Sequence, residues 1–102
     1  MTPVEALRNL KAGETYAKLI AHTKYDVGIY QPKGEDGQTP HLRDEIYIVI
    51  AGTGEFVCEG VTRQFGPGDM LFVAAGVEHR FVDFSDDFAT WVVFFGEVKR
   101  TA

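Results

Sequence analysis

Short β-rich segments punctuated by glycine constrain the fold of this chain more than any other feature of its sequence. From Thr15 onward, runs of β-branched and aromatic residues alternate with turns that contain glycine or proline. The strongest run is EIYIVIA at 45–51, which ends at the turn Gly52-Thr53-Gly54. The predicted strands are 16–22, 26–31, 45–51, 55–59, 61–65, 70–73, 80–84 and 88–95. Eight short strands with frequent turns predict a small all-β sandwich or barrel.

The N-terminal segment predicts a short helix that precedes the strands. Thr2 suits an N-cap, Pro3 suits the first turn, and apolar residues at 4, 7 and 10 follow at helical spacing up to Gly13. Residues 32–40, PKGEDGQTP, predict a loop. The polar residues at 99–102 predict a frayed tail. We expect a single domain over 1–102, with its core at about 15–96.

Composition limits the classes of partner that the chain can have. Its formal net charge is −5 and it has no basic stripe, which argues against nucleic acid and anionic membranes as partners. Cys58 is the only cysteine, so an intrachain disulfide is excluded. The apolar runs are shorter than a membrane span, and the N-terminus lacks the apolar core of a secretion signal. We expect a cytoplasmic protein.

Three residues stand where a metal site inside a barrel would need them. His41 comes at the end of the long loop, Glu45 follows four residues later on the strongest strand, and His79 stands at the start of another strand. Strand periodicity places residues 41, 43, 45, 47 and 49 on one face, which is polar at one end and apolar at the other. A carboxylate on an inner face is costly unless it is paired or bound to a metal. Their spacing alone is also compatible with ordinary surface or hydrogen-bonded histidines.

The stretches around these residues resemble the two motifs of the cupin family. Residues 41–52, HLRDEIYIVIAG, are similar to the first motif, and residues 68–83, GDMLFVAAGVEHRFVD, are similar to the second. The resemblance spans about 25–95 and implies an all-β cupin barrel, the double-stranded β-helix or jelly roll, with the short helix added. It also implies that His41, Glu45 and His79 bind one divalent metal ion. Fe, Mn, Zn and Ni are the candidates, because all four accept such ligands.

The sequence departs from the cupin pattern at informative positions. The first motif ordinarily begins with two histidines as His-x-His, and Thr39 occupies the place of the first. Ala74 replaces the proline of the second motif, and Asp83 replaces its asparagine. The resemblance therefore implies three protein ligands. Thr39 or Gln38 could supply an oxygen in the vacant place, but Gln38 is off by one in strand parity, so water is the expected occupant.

The resemblance implies a metal-dependent enzyme of the dioxygenase or isomerase type that acts on a small molecule. The alternative is a non-catalytic module that binds a metal or a small ligand, because fold alone does not determine function. Tyr47 is the candidate catalytic residue, although a core tyrosine is an equal interpretation. The predicted substrate pocket contains Thr39, Arg43, Tyr47 and Phe81. Small cupins resemble one another in forming dimers, so we expect a homodimer.

Overall fold

The structure, a computed structural model, describes residues 1–98. This part of the chain contains eight strands and one short helix. The strands lie within two residues of the predicted bounds, and the predicted tail at 99–102 lies outside the described residues. The elements are α1 (Pro3–Leu7), β1 (Tyr16–Ala21), β2 (Tyr25–Tyr30), β3 (Asp44–Ala51), β4 (Gly54–Cys58), β5 (Val61–Phe65), β6 (Met70–Val73), β7 (His79–Val82) and β8 (Ala89–Phe95).

The helix begins where the sequence predicts but ends earlier. The hydroxyl of Thr2 accepts a hydrogen bond from the backbone N–H of Glu5 at 3.2 Å, as an N-cap should. The amide of Asn9 donates to the carbonyls of Glu5 and Ala6, at 3.0 and 3.3 Å, and satisfies two carbonyls at the end of the helix. The predicted extension to Gly13 is therefore wrong. No helix among residues 1–98 is long and apolar enough to cross a membrane.

Two antiparallel sheets face one another across the interior. The larger has the order β1-β2-β8-β3-β6, and the smaller has the order β5-β4-β7. Alternate residues of β3 are buried, at Glu45, Tyr47 and Val49, which confirms that these three share an inner face. Strand β7 ends at Val82 because Asp83 adopts a left-handed conformation (φ 50°). Aspartate and asparagine tolerate this conformation, which explains how Asp83 fits a position usually held by asparagine.

The interior is filled by aromatic rings from both sheets. Tyr47 of the larger sheet packs edge-on against Phe81 of the smaller sheet, with ring centroids 4.9 Å apart. Phe65, Phe81 and Phe88 form a tight group beyond Tyr47, with centroid separations of 4.7 to 5.4 Å. The turn at Gly52 closes this end and lies against the backbone of Phe88. The approach is so close that a Cβ at residue 52 would lie 2.5 Å from the Cα of Phe88. The barrel thus has an aromatic end and, near the start of β3, a polar end.

Candidate metal centre

The polar end of the barrel is assembled from the loop before β3, from β3 itself and from the start of β7. Glu45 is the second residue of β3 and is completely buried. His79 is the first residue of β7, and its side chain is also completely buried. His41 precedes β3, and its side chain retains 31% exposure. The three side chains that the sequence singled out therefore meet, although His79 is 38 residues from His41 along the chain.

Two hydrogen bonds from the turn before β7 hold the two histidines close together. The N–H of Gly76 donates to the carbonyl of His41 at 2.7 Å, and the N–H of Ala75 donates to the carboxylate of Asp44 at 2.8 Å. Gly76 has a φ of 81°, a conformation that favours glycine. The turn before β7 is thus attached directly to the segment that carries His41. This attachment explains why both regions contribute to one site.

The candidate ligand atoms of the three residues lie close to one another. Nε2 of His79 lies 2.7 Å from Oε1 of Glu45, and Nε2 of His41 lies 3.8 Å from Oε2 of the same carboxylate. One ligand atom from each of the three residues lies within 4.8 Å of the other two. Adjacent ligands of a first-row metal with bonds of about 2.1 Å lie about 3 Å apart in an octahedral site. The spacing of these atoms therefore suits a divalent ion.

The hydrogen bond at the far side of the His79 ring leaves Nε2 available as a ligand. Nδ1 of His79 lies 2.9 Å from the carbonyl oxygen of Val77. A carbonyl only accepts hydrogen bonds, so Nδ1 must carry a proton and Nε2 of the neutral ring must present its lone pair. An imidazole ligand is commonly oriented in this way by a backbone carbonyl. No local pattern in the sequence indicates this contact with Val77.

The carboxylate of Glu45 is the least satisfied polar group at the site. Both of its oxygens are buried without a hydrogen-bond partner among the described residues, although Oε1 approaches Nε2 of His79 to 2.7 Å. The distance is short, but the contact lacks the direction of a hydrogen bond. Two electron-pair acceptors at this distance repel each other unless a proton or a cation lies between or beside them. The donor set and its unsatisfied oxygens fit a divalent metal ion.

Protonation is the competing way to satisfy this pair. Burial by itself would lower the pKa of His79, but the contact with Glu45 and the hydrogen bond to Val77 outweigh it, and the pKa lies above its ordinary value of 6.5. A protonated His79 would place a positive charge beside one carboxylate oxygen. It would leave the other oxygen, Oε2, without a hydrogen-bond partner in the described part of the chain.

Tyr47 lies beside the candidate ligands. Its hydroxyl is 3.1 Å from Nε2 of His79 and 2.9 Å from the side-chain oxygen of Gln38, and its side chain is completely buried. Burial raises the pKa of Tyr47 above its usual value, and the charge of Glu45 raises it further. In the protein without metal, the hydroxyl is therefore a hydrogen-bond donor at neutral pH.

The other residues of the predicted substrate pocket lie in different surroundings. Phe81 is buried against Tyr47, 1% exposed. Arg43 directs its guanidinium to the carboxylate of Asp26 at 3.3 Å and to the carbonyl of Gly96 at 3.1 Å. Thr39 is exposed, and its side chain has no hydrogen bond among residues 1–98. The structure does not bring Arg43 or Thr39 into the cluster around Glu45.

Two polar residues of the loop before β3 complete the site. Gln38 places its side-chain oxygen 3.0 Å from Nε2 of His41, and Asp36 is buried behind it. Strand parity argues against Gln38 as a ligand, and no motif in the sequence points to Asp36. Parity fails here because residues 37–40 belong to no strand. The available signal is a polar Asp-Gly-Gln sequence that ends three residues before the candidate ligand His41.

Two cavities adjoin the site, and Gln38 lines both. One of about 440 Å³ lies beside His79, with Glu78 and Arg80 at its wall. The other, of about 220 Å³, lies beside His41 and is lined largely by aromatic and aliphatic side chains of the larger sheet. The lining of the smaller cavity consists of Tyr16, Tyr30, Gln38, His41, Val92 and Phe94. Its size suits a ligand of few atoms.

Comparisons with known proteins agree with this architecture. The cupin domain family model matches residues 27–95. An uncharacterized protein of Streptomyces coelicolor is 33% identical over 93 residues, which cover 89% of this chain and 88% of that protein. The crystal structure of a cupin 2 conserved barrel domain protein from Salinispora arenicola superposes with a TM-score of 0.71 at 23% identity, and the match covers 94% of this chain and 87% of the other.

A lyase is also among the relatives. The chain is 32% identical over 83 residues, 79% of its length, to dimethylsulfoniopropionate lyase DddQ of Ruegeria pomeroyi. The match spans only 39% of that protein. Its crystal structure superposes with a TM-score of 0.68 at 25% identity, over 84% of this chain and 48% of the other. Since the family model matches more than half of the chain and the barrel has the same fold, the chain belongs to the cupin family, as a small cupin-2 domain protein.

Proposed function

We propose that this protein is a metal-dependent enzyme that acts on a small molecule at a divalent ion held by His41, Glu45 and His79. The observation that carries the proposal is the buried carboxylate of Glu45, whose two oxygens have no hydrogen-bond partner within residues 1–98 while Nε2 of His79 lies 2.7 Å from one of them. A cation satisfies both oxygens and the imidazole lone pair together.

The surroundings of the site support binding and activation of a compact substrate. When bound, a divalent ion would polarise an oxygen of the substrate as a Lewis acid. The cavity beside His41 would hold the substrate against apolar walls that exclude water. The hydroxyl of Tyr47, 3.1 Å from Nε2 of His79, would donate a hydrogen bond to charge that develops on the substrate. Tyr47 is thus the proposed catalytic residue.

Metal analysis of the purified protein tests the first part of this proposal. We expect one divalent ion per chain in the unsubstituted protein and a loss of at least tenfold in affinity in Glu45→Gln, which keeps the shape of the side chain but removes its charge. Glu55→Gln is the matched control, because Glu55 lies on β4 and is not part of the cluster. Equal metal content in the Glu45 and Glu55 variants would overturn the proposed site.

A substrate panel tests whether the site is catalytic. The relative from Ruegeria pomeroyi is named a lyase, so the panel should contain dimethylsulfoniopropionate as well as small diketones, phenols and sugars. We expect turnover that requires metal and that falls at least tenfold in Tyr47→Phe while metal content stays unchanged. Turnover that is unaffected by Tyr47→Phe would contradict the role of Tyr47.

A non-catalytic metal-binding or ligand-binding module is the second candidate. The complete burial of Glu45 and His79 favours it, because buried ligands also suit an ion that only stabilises the barrel. The two candidates differ in one measurable property. The module binds its metal and a small ligand tightly and leaves the whole panel unchanged.

We further propose that the protein forms a homodimer through the outer face of the larger sheet. Ile48 pairs with Met70 on the edge strand β6, and Met70 and Phe72 are 66% and 54% exposed. Adjacent apolar side chains on an edge strand suit a symmetric contact with a second copy. Light scattering after size exclusion should give the mass of a dimer, and Phe72→Asp should give the mass of a monomer. A monomeric unsubstituted protein would refute this contact.

A further inference from the structure

Gln38 directs its side-chain oxygen into the cluster of candidate metal ligands. This oxygen lies 3.0 Å from Nε2 of His41 and 2.9 Å from the hydroxyl of Tyr47. Two candidate site residues therefore contact the same atom, His41 from the loop before β3 and Tyr47 from β3 itself. Gln38 also lines both cavities that adjoin the site.

The orientation of the Gln38 amide follows from its contact with Asp36. The amide nitrogen of Gln38 lies 3.0 Å from Oδ2 of Asp36, and the backbone N–H of Gln38 donates to Oδ1 at 3.1 Å. An ionised carboxylate only accepts hydrogen bonds, so the NH₂ group must face Asp36 and the oxygen must face the metal ligands. The opposite orientation would place two oxygens against each other.

Asp36 is itself held in place on several sides. It is 2% exposed and accepts hydrogen bonds from the hydroxyl of Tyr30 at 2.6 Å and from the backbone N–H of Phe81 at 2.8 Å, besides the two from Gln38. These contacts join the loop to β2 and to β7 of the opposite sheet. A buried carboxylate with four donors is well satisfied, which makes Asp36 a rigid support for Gln38.

We propose that Gln38 is the fourth protein ligand of the metal and that Asp36 is the positioning residue that orients its amide oxygen. The proposal rests on the metal site of the proposed function and extends it. The 3.0 Å between the Gln38 oxygen and Nε2 of His41 matches the separation of about 3 Å between adjacent ligands of an octahedral metal. Gln38, rather than water or Thr39, takes the place of the missing histidine, and the resulting set has two imidazoles, one carboxylate and one amide oxygen.

Metal titration of single variants tests this assignment. The probe is Co²⁺. Its visible absorption reports the coordination of the metal, and calorimetry measures its affinity for the protein. Gln38→Met removes the oxygen and keeps the length of the side chain. We expect its affinity to fall about 10-fold to 100-fold, with an altered absorption spectrum. Asp36→Asn should lower the affinity by a smaller factor, because it frees the amide of Gln38 to rotate. Thr39→Ala is the control and should match the unsubstituted protein.

The outcomes separate this inference from the proposed function. If Gln38→Met keeps the unsubstituted affinity and spectrum while Glu45→Gln loses binding, the metal site stands and the fourth ligand is refuted. If Glu45→Gln also keeps its affinity, both proposals fail.

A measurement on the unsubstituted protein covers the case in which Gln38→Met does not fold. With carbon-13 in the glutamine side chains, the Gln38 carbonyl signal should shift on stoichiometric addition of Zn²⁺. The carbonyl signal of Gln64, on β5, should stay in place. An unmoved Gln38 signal in a protein that binds Zn²⁺ would overturn the assignment.

Discussion

The two ends of the barrel interior differ in what their buried side chains gain from one another. At the aromatic end, Phe65, Phe81 and Phe88 pack ring against ring and leave no polar group to satisfy. At the polar end, Glu45 and His79 are equally buried, yet the carboxylate has no hydrogen-bond partner among the described residues. The first arrangement stabilises the fold by itself, whereas the second gains most from a bound ion. The side chains that stabilise the fold and the side chains that suit a bound ion therefore lie at opposite ends of the barrel.

The largest expected effect comes from the aromatic end. Phe88→Ala should lower the free energy of unfolding by about 3–5 kcal/mol, because it removes a completely buried ring and leaves a cavity between Phe65 and Phe81. Denaturant unfolding measures this change, and metal affinity of the folded fraction should stay the same. Val61→Ala, at a 57% exposed position, is the control. A Phe88 variant that unfolds normally but loses its metal would break the division between the two ends.

Metal addition should stabilise the protein through the polar end. At a free metal concentration of about 100 times Kd, the unfolding free energy should rise by about 2.7 kcal/mol in the unsubstituted protein. In Glu45→Gln the rise at the same metal concentration should be about 1.4 kcal/mol or less, because a loss of at least tenfold in affinity leaves the concentration at no more than about ten times Kd. Calorimetric melting with and without chelator gives both values. An equal rise in the two proteins would show that the metal acts elsewhere.

Metal affinity and the stability of the metal-free protein should change with pH in opposite directions. Because the pKa of His79 is raised above 6.5, metal must displace a proton from it below that raised pKa, and affinity should fall about tenfold per pH unit there. Without metal, the contribution of protonated His79 to stability is complete below pH 6.5 and is lost as the pH rises through the raised pKa.

Titrations across this range check the affinity, and chelator-treated unfolding curves at the same pH values check the stability. Metal affinity that is constant with pH would exclude His79 as a ligand. Stability of the metal-free protein that rises through the pKa of His79 would contradict the ion pair.

The smallest effect is expected at the rim. Thr39→Ala should change the unfolding free energy by less than about 0.5 kcal/mol and leave metal affinity unaltered, because Thr39 is exposed and its side chain has no hydrogen bond among residues 1–98. Unfolding and metal titration of this variant measure both quantities. A clear loss of metal affinity would place Thr39 at the site after all.

The fold could be predicted from the sequence because its signals are local. Strand bounds followed from β-branched runs and turn glycines, and the inner face of β3 followed from alternation at Glu45, Tyr47 and Val49. The end of the helix could not be predicted in this way, because the side chain of Asn9 competes for its last carbonyls. Arg43 is a residue of the predicted substrate pocket, but its charge is paired with Asp26, 17 residues away in the sequence.

Periodicity and turn chemistry predict the strands of the barrel, because both act between neighbours in the chain. The resemblance to the two cupin motifs pointed to His41, Glu45 and His79. How the site around these three residues is completed depends on tertiary contacts. Gln38 lies in a loop without periodicity, and its orientation depends on Asp36, which is held by Tyr30 and by the backbone of Phe81, 45 residues away. Contacts of that kind arise when two sheets close on one another, and no local pattern of residues encodes them.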